Sequence, residues 1–194
     1  MQLNTLEDNI GSEMVKIGLS GAHCSGKTTL SRAVVMALSQ TLNTDVYVIH
    51  DLASTVVGDK RNMMTQFEIM NTQVVNENKH SKHNLVTDRT VLDNLAYCLY
   101  TQNYGNGDSW VFEKCIALAE EHLKASPYDT IYIVDNILPI EKSSHRNLTS
   151  RFSQVLIHDY IEDLAYTYED ILDIVTIRGT TEEMVRKVLK HEGY

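Results

Sequence analysis

Eight residues constrain this chain more than any others: Gly21-Ala22-His23-Cys24-Ser25-Gly26-Lys27-Thr28, which satisfy the spacing G-x-x-x-x-G-K-[ST]. They follow an alternating apolar run, Met14 to Ser20, and lead into a stretch with helical spacing. Glycines let the backbone curl so that successive N–H groups point inward, and the helix N-terminus adds partial positive charge. Together they make a concave cradle for phosphate oxygens. Lys27 then stands where an ammonium reaches the β and γ phosphates, Thr28 stands where a hydroxyl ligates Mg²⁺, and Thr29 completes the exit from the loop. A flexible glycine turn entering a helix is the plain alternative, but it gives no reason for lysine and threonine directly after the second glycine. Cys24 lies inside the loop, where an electropositive helix terminus favours oxidation of a thiol, although a small tolerated residue accounts for it more simply.

The rest of the chain alternates between two periodicities. Candidate strands are Met14 to Ser20, Val46 to His50, Leu85 to Asp88, Thr130 to Asp135 and Ile171 to Ile177. Helical spacing covers Thr28 to Thr41, Asn62 to His80, Val91 to Tyr104, Ser109 to Ala125, Leu148 to Tyr168 and Thr181 to His191. Strands alternating with helices predict an α/β fold, a parallel sheet joined by right-handed crossovers with helices on both faces. Ligands collect at the carboxyl ends of such strands, so functional residues are expected just after Ser20, His50, Asp88, Asp135 and Ile177. No linker or repeat divides the 194 residues, which are read as one domain whose first 13 residues form a flexible lead-in.

The formal net charge is −9, with about −2 on residues 1–97 and about −7 on residues 98–194. That balance argues against broad binding to a nucleic-acid backbone, which works through Lys and Arg releasing counterions. The acids fall mostly in helical stretches and read as solvated faces. Three cysteines, Cys24, Cys98 and Cys115, lack the spacing of a disulfide framework or a zinc site and fit a reducing, cytoplasmic setting. The N-terminal residues lack the pattern of a signal peptide, and no apolar run approaches the ~20 residues needed to span a bilayer.

A nucleoside triphosphate can drive a motor, signal a state or donate a phosphate. A guanine-reading N-K-x-D is absent, as is an apolar strand closing in Asp-Glu. The third strand instead runs into Asp88-Arg89-Thr90, an acid and an arginine side by side at a strand's carboxyl end. Such a pair can hold metal, or its water, with one group and phosphate or substrate charge with the other. A local ion pair or helix cap is the competing account, and Asp93, one turn on, either caps the helix or touches substrate.

The phosphate loop, the acid of "VIHD", "DRT" after the third strand and a basic segment after the fourth resemble the nucleoside and nucleotide kinase branch of P-loop proteins. That branch includes thymidylate kinase, the deoxynucleoside kinases, ribosylnicotinamide kinase and related phage kinases. The resemblance implies a three-layer α/β/α sandwich with five parallel strands in the order 2-3-1-4-5, and ATP and Mg²⁺ as cofactors. Metal would be held by Thr28 and Asp88. It also implies that Asp51 corresponds to the acid accepting the proton of the attacking hydroxyl, a role for which Asp88 competes and which a simple turn cap at Asp51 would displace. Residues 136–150, "NILPIEKSSHRNLTS", resemble the lid, with Arg146 and Arg151 as the arginines folding over phosphates. Solvated surface arginines are the alternative. Arg178 would stack over the adenine, and Thr180 would either present backbone polar groups there or, the favoured account, serve as an N-cap completed by Glu183.

The acceptor would lie against Leu52 to His83. There Gln66, Asn71, Gln73 and Asn76 are able to read a base edge, although core and surface roles are the safer assignment, and Lys79, His80, Lys82 and His83 form the one locally basic stretch. The leading expectation is transfer of the γ-phosphate of ATP to a hydroxyl of a nucleoside or nucleotide. The alternative is a phage-type kinase modifying 5-hydroxymethyluracil, free or within DNA, and a third reading is a slowly hydrolysing regulatory ATPase. A homodimer stays open.

Overall fold

In the computed structural model, the residues described are 14–136, 138–139 and 150–194. The proposed lead-in, most of the proposed lid and Arg146 lie outside them. Five strands, β1 (Lys16–Ser20), β2 (Val46–Ile49), β3 (Asn84–Thr87), β4 (Thr130–Val134) and β5 (Ile174–Ile177), form one parallel sheet in the order β2-β3-β1-β4-β5. Six helices complete the layers: α1 (Lys27–Leu42), α2 (Met63–Lys79), α3 (Val91–Tyr104), α4 (Ser109–Ala125), α5 (Arg151–Thr167) and α6 (Thr181–His191). Among the described residues no helix is long and apolar enough to cross a membrane.

Side chains alternate across a strand, and this sheet uses both faces. Ile17, Leu19, Val86, Tyr132, Val134 and Ile177 pack on one face against Leu30, Val34 and Leu38 of α1 and Met184 and Val188 of α6. Ile131 turns to the other face, where it meets Leu92 and Leu95 of α3, Val111 and Cys115 of α4, and Met70 of α2. Ile133 joins Ala96 of α3 and Ile157 and Ile161 of α5 in an adjoining cluster. Each fully buried aliphatic side chain contributes about 1.5–3 kcal/mol, so the two faces hold the sheet as a rigid floor beneath the strand ends. Register then fixes what meets there: Ile49 pairs with Thr87, and Ser20 with Ile133. Asp51, Asp88, Gly21 and Asp135 follow these residues at one rim.

The expected strands are trimmed at their ends. β5 begins at Ile174 because Ile171 and Leu172 close a turn on Tyr168, and His50, Asp88 and Asp135 stand beyond their strands as the first loop residues. α5 starts at Arg151, capped by Ser150, not at Leu148, which is not described. The 3₁₀ turn Leu52–Ser54, the one among the described residues, was not expected from periodicity.

Candidate functional site

The loop between β1 and α1 is shaped by backbone that side chains would obstruct. Gly21 has φ 148°, and a Cβ there would stand 3.0 Å from the Val134 carbonyl oxygen. Gly26, with φ 91°, is the N-cap of α1 and supplies no side chain to it, and α1 has no acidic residue in its first turn. Among the described residues every other α-helix carries a side-chain cap: Asn62, Thr90, Asp108, Ser150 and Thr180. The sequence thus leaves the leading N–H groups of α1 to an anion, the arrangement phosphate binding requires.

Lys27 is buried, and its ammonium donates to the carbonyls of Gly21 and of Ala22 (2.9 Å) and approaches Ser25 Oγ at 3.4 Å. Burial lowers its pKa, and the nearby Asp93 carboxylate partly offsets this. Asp93 lies 3.9 Å from the ammonium and gathers the loop's root. It accepts from Ser20 Oγ (2.7 Å), the Gly21 N–H (3.1 Å), the Thr90 N–H (3.0 Å) and Thr90 Oγ1 (3.1 Å). Of its two expected roles the capping box is present, and the same carboxylate reaches across to the phosphate loop.

Thr28 Oγ1 donates to Asp88 Oδ2 at 2.5 Å. Burial pushes the Asp88 carboxyl above its ordinary range, against the pull of Lys27 and the Thr28 hydrogen bond. One hydroxyl and one carboxylate, both hard oxygen donors beside the loop, fit Mg²⁺, which takes one or two protein oxygens and completes its shell with phosphate and water. Among the described residues there is no group of three or more His, Cys, Asp or Glu arranged to hold a metal, so nothing there competes as an all-protein site.

Arg89 turns the other way. Its Nε lies 2.8 Å from Asp51 Oδ1, a charge pair held by proximity more than by a well-aimed N–H, and its guanidinium lies over the Tyr97 ring, 4.8 Å from the centroid. Burial alone would raise Asp51, but the Arg89 charge and hydrogen bonding bring its carboxyl below the ordinary value. Burial would lower Arg89, and Asp51 outweighs it. Asp51 also caps the 3₁₀ turn by accepting from the Ala53 N–H at 3.0 Å, so the cap and the charged contact are properties of one side chain.

Lys27, Thr28, Asp51, Asp88 and Arg89 therefore gather at one rim; of the expected adenine and lid residues, Arg178, Thr180 and Arg151 are described and Arg146 is not. Arg178 is mostly exposed and lies 3.9 Å from Asp135, and Thr180 spends its side chain and N–H in the capping box with Glu183. Arg151 donates to Gln154 Oε1 at 3.1 Å. Gln154, which the sequence reading did not single out, is fully buried and donates to the carbonyls of His23 (2.8 Å) and Leu138 (3.1 Å), clasping the phosphate loop to α5. Leu138 also donates its N–H to the Cys24 carbonyl. Tyr97 was missed too; its hydroxyl lies 3.4 Å from His23 Nδ1. Three-residue helical spacing from Arg151 was the signal available for Gln154; for Tyr97 the sequence offers none. Gln66, Gln73 and Asn76 serve the backbone and the core, and His80 and His83 pack around Tyr47 at the sheet edge.

Three comparisons bear on this geometry. No curated protein matches the chain in sequence. Among solved structures, deoxyadenosine kinase from M. mycoides with bound dCTP is similar with a TM-score of 0.63 at 12% identity, over 92% of this chain and 98% of that one. Thymidylate kinase from Ehrlichia chaffeensis gives a TM-score of 0.63 at 16% identity, over 93% and 98%. NadR protein in complex with NAD and AMP-PNP gives 0.66 at 12% identity, over 93% of this chain and 50% of that one. These likenesses establish the P-loop kinase fold expected from the sequence. The profile of the AAA domain family matches residues 16–183, nearly all of the chain, which therefore belongs to that family of P-loop proteins.

Proposed function

We propose that the chain is an ATP- and Mg²⁺-dependent phosphotransferase acting on a hydroxyl of a nucleoside or nucleotide. The observation that carries this reading is the division of labour at the rim. The Thr28–Asp88 pair adjoins the phosphate loop, and a second charged pair, Asp51–Arg89, lies at the strand ends of β2 and β3. A hydrolysing switch has no need of the second pair; a transferase needs a place for its acceptor.

In this reading Gly21 opens the cradle with its own N–H held by Asp93, and Ala22, His23, Cys24, Ser25 and Gly26 present backbone N–H groups to the phosphates, with Lys27 as the mobile cation and Thr29 behind it. Thr28 and Asp88 hold Mg²⁺, which when bound supplies neutralisation of the phosphate oxygens. Asp88 is committed to Thr28, so Asp51 is the group that orients the acceptor hydroxyl and takes its proton late in a loose transition state. A carboxylate of lowered basicity suits a step in which proton transfer lags behind bond breaking. Arg89 holds Asp51 in place and offers charge to the acceptor side. Arg146 and Arg151 are the cations of the lid, and Arg178 borders the donor base.

The test is incubation with γ-labelled ATP, Mg²⁺ and a panel of nucleosides, nucleotides and 5-hydroxymethyluracil, free and within DNA. Label on a nucleoside or nucleotide hydroxyl is expected. Label on hydroxymethyluracil alone would move the assignment to the phage-type kinase, and slow ADP release with every acceptor unlabelled would replace it with a regulatory ATPase.

A further inference from the structure

Below the rim, α2 carries a fully buried carboxylate, Glu77, that the proposed chemistry does not use. Each of its oxygens meets two groups. Oε1 accepts from Gln73 Nε2 (2.6 Å) and the Tyr128 hydroxyl (2.7 Å), while Oε2 faces His122 Nε2 (2.8 Å) and Lys16 Nζ (2.9 Å). Gln73, Tyr128 and His122 are themselves buried. Burial would raise Glu77, but His122 and Lys16 bring it below the ordinary range. A buried charge cluster of this kind is weak evidence for stability, since well-packed apolar residues of equal volume often serve as well. Its placement needs another reason.

That reason lies in where the network ends. Gln73 Nε2 also donates to the Arg89 carbonyl oxygen at 3.1 Å, one N–H for each acceptor. The Tyr128 hydroxyl, while donating to Glu77, lies 3.4 Å from the Val91 N–H and accepts from it. Glu77 therefore grips the turn 89–91 at both ends, through Gln73 before Thr90 and through Tyr128 after it. The neighbouring groups of the same turn are held by other partners, the Asp88 N–H by the Ile49 carbonyl (2.7 Å) and the Thr90 N–H by Asp93. The backbone at Arg89 has φ 156°, a value L residues rarely adopt, and it directs the side chain toward Asp51 and Tyr97. A backbone conformation of that kind persists only where its surroundings over-determine it.

We infer that Gln73 and Glu77 are positioning residues for Arg89, fixing the backbone turn that delivers its guanidinium to Asp51; the kinetic consequence rests on the kinase reading, the geometric one does not. Gln73→Met keeps the length of the side chain and removes both N–H groups. The first readout is the Arg89 Nε–H resonance and its exchange with solvent. Exchange is expected to quicken about tenfold or more as the ion pair loosens, and Tyr128→Phe, which leaves Gln73 in place, is expected to move the same resonance less. Val188→Ala, a core truncation on the opposite face of the sheet, controls for general loosening and should leave that signal unchanged. The second readout is steady-state kinetics, where Gln73→Met should lower kcat about tenfold with KM for ATP altered less than about twofold. An unchanged Arg89 signal in Gln73→Met, or an equal change in Val188→Ala, overturns the inference. Should Gln73→Met fail to fold, an unmoved signal in Tyr128→Phe does so instead. A shifted signal in an enzyme that phosphorylates no acceptor would leave the positioning role standing and remove the kinase reading.

Discussion

Asp93→Asn tests how the phosphate loop is fastened. The carboxylate is fully buried and takes four hydrogen bonds, two from the end of β1 and the loop (Ser20 Oγ, Gly21 N–H) and two from Thr90. Asparagine has the same shape but only one accepting oxygen. Its NH₂ must point either at Gly21 or toward the Ser20 and Thr90 donors, so at least one buried N–H loses its acceptor. An unsatisfied buried donor costs about 1–3 kcal/mol, and a hydrogen bond to a charged group contributes about 1.5–3 kcal/mol. Relaxation of the Ser20 and Thr90 hydroxyls returns part of this, leaving a net loss of about 2–4 kcal/mol. For a chain of this size each kcal/mol lowers Tm by about 2–4 °C, which gives a fall of roughly 4–16 °C by calorimetry. Titration with a non-hydrolysable ATP analogue should also show weaker binding, because Gly21 is the first residue of the cradle. A variant melting within about 2 °C of wild type would refute the reasoning, since no rearrangement of an amide satisfies all four donors.

Four further expectations follow from the same geometry. Lys27→Ala should abolish detectable nucleotide binding by calorimetry while circular dichroism stays that of the folded protein; retained turnover would contradict the cradle. Asp51→Asn should lower kcat by roughly 10²–10⁴-fold with little change in the Mg²⁺ requirement, whereas Asp88→Asn should raise the Mg²⁺ concentration needed for half-maximal rate, and the reverse pattern would exchange their roles. Chelating Mg²⁺ with EDTA should weaken binding of the ATP analogue about tenfold or more, and equal affinity with and without the ion would dissociate Thr28 and Asp88 from a metal. Because the folded pKa of Glu77 lies below the ordinary 4.5, its stabilisation is complete above that value and is lost as pH falls through the lowered one. Tm measured from pH 7 down to pH 3 should therefore fall less steeply in Glu77→Gln than in wild type at the acid end, and parallel curves would exclude the cluster as a source of acid sensitivity.

The phosphate loop, the alternation of strands and helices and the "DRT" turn were legible because each is a local pattern: a fixed spacing, a periodicity, two charges at a strand end. Helices α3, α4 and α6 match their expected bounds for the same reason, each having a cap residue directly before its apolar periodicity. What escaped the sequence depends on contacts between distant segments. Gln154 meets His23 across 131 residues, and Glu77 meets Tyr128 across 51, and neither has a neighbour in sequence that hints at its partner. Asp93 was half legible, since the capping box is local and the reach to Gly21, 72 residues away, is not. Sheet order was no more accessible to spacing; it came from resemblance, and the pairing of β1 with both β3 and β4 is what makes the loop central.

The charges at the rim bear on what the proposed loop site needs from its surroundings. The gathered side chains comprise two cations, Lys27 and Arg89, and three carboxylates, Asp51, Asp88 and Asp93, within a chain of net charge −9. Arg89 is already matched to Asp51, and the Lys27 ammonium stands near Asp93 while donating to two loop carbonyls. A polyanionic phosphate tail entering this place meets backbone dipoles in its favour and a side-chain field that is slightly against it. On the proposed reading, two sources of positive charge would reverse that balance: a divalent ion between Asp88 and the phosphates, which turns an unfavourable carboxylate into a ligand, and the proposed lid cations Arg146 and Arg151. Preference for a metal-bound nucleotide over a bare anion is what that reading entails. On the proposed reading, inorganic phosphate or sulfate without the ion is left with the loop's N–H groups alone, whereas the metal complex of a triphosphate brings the cation that offsets Asp88.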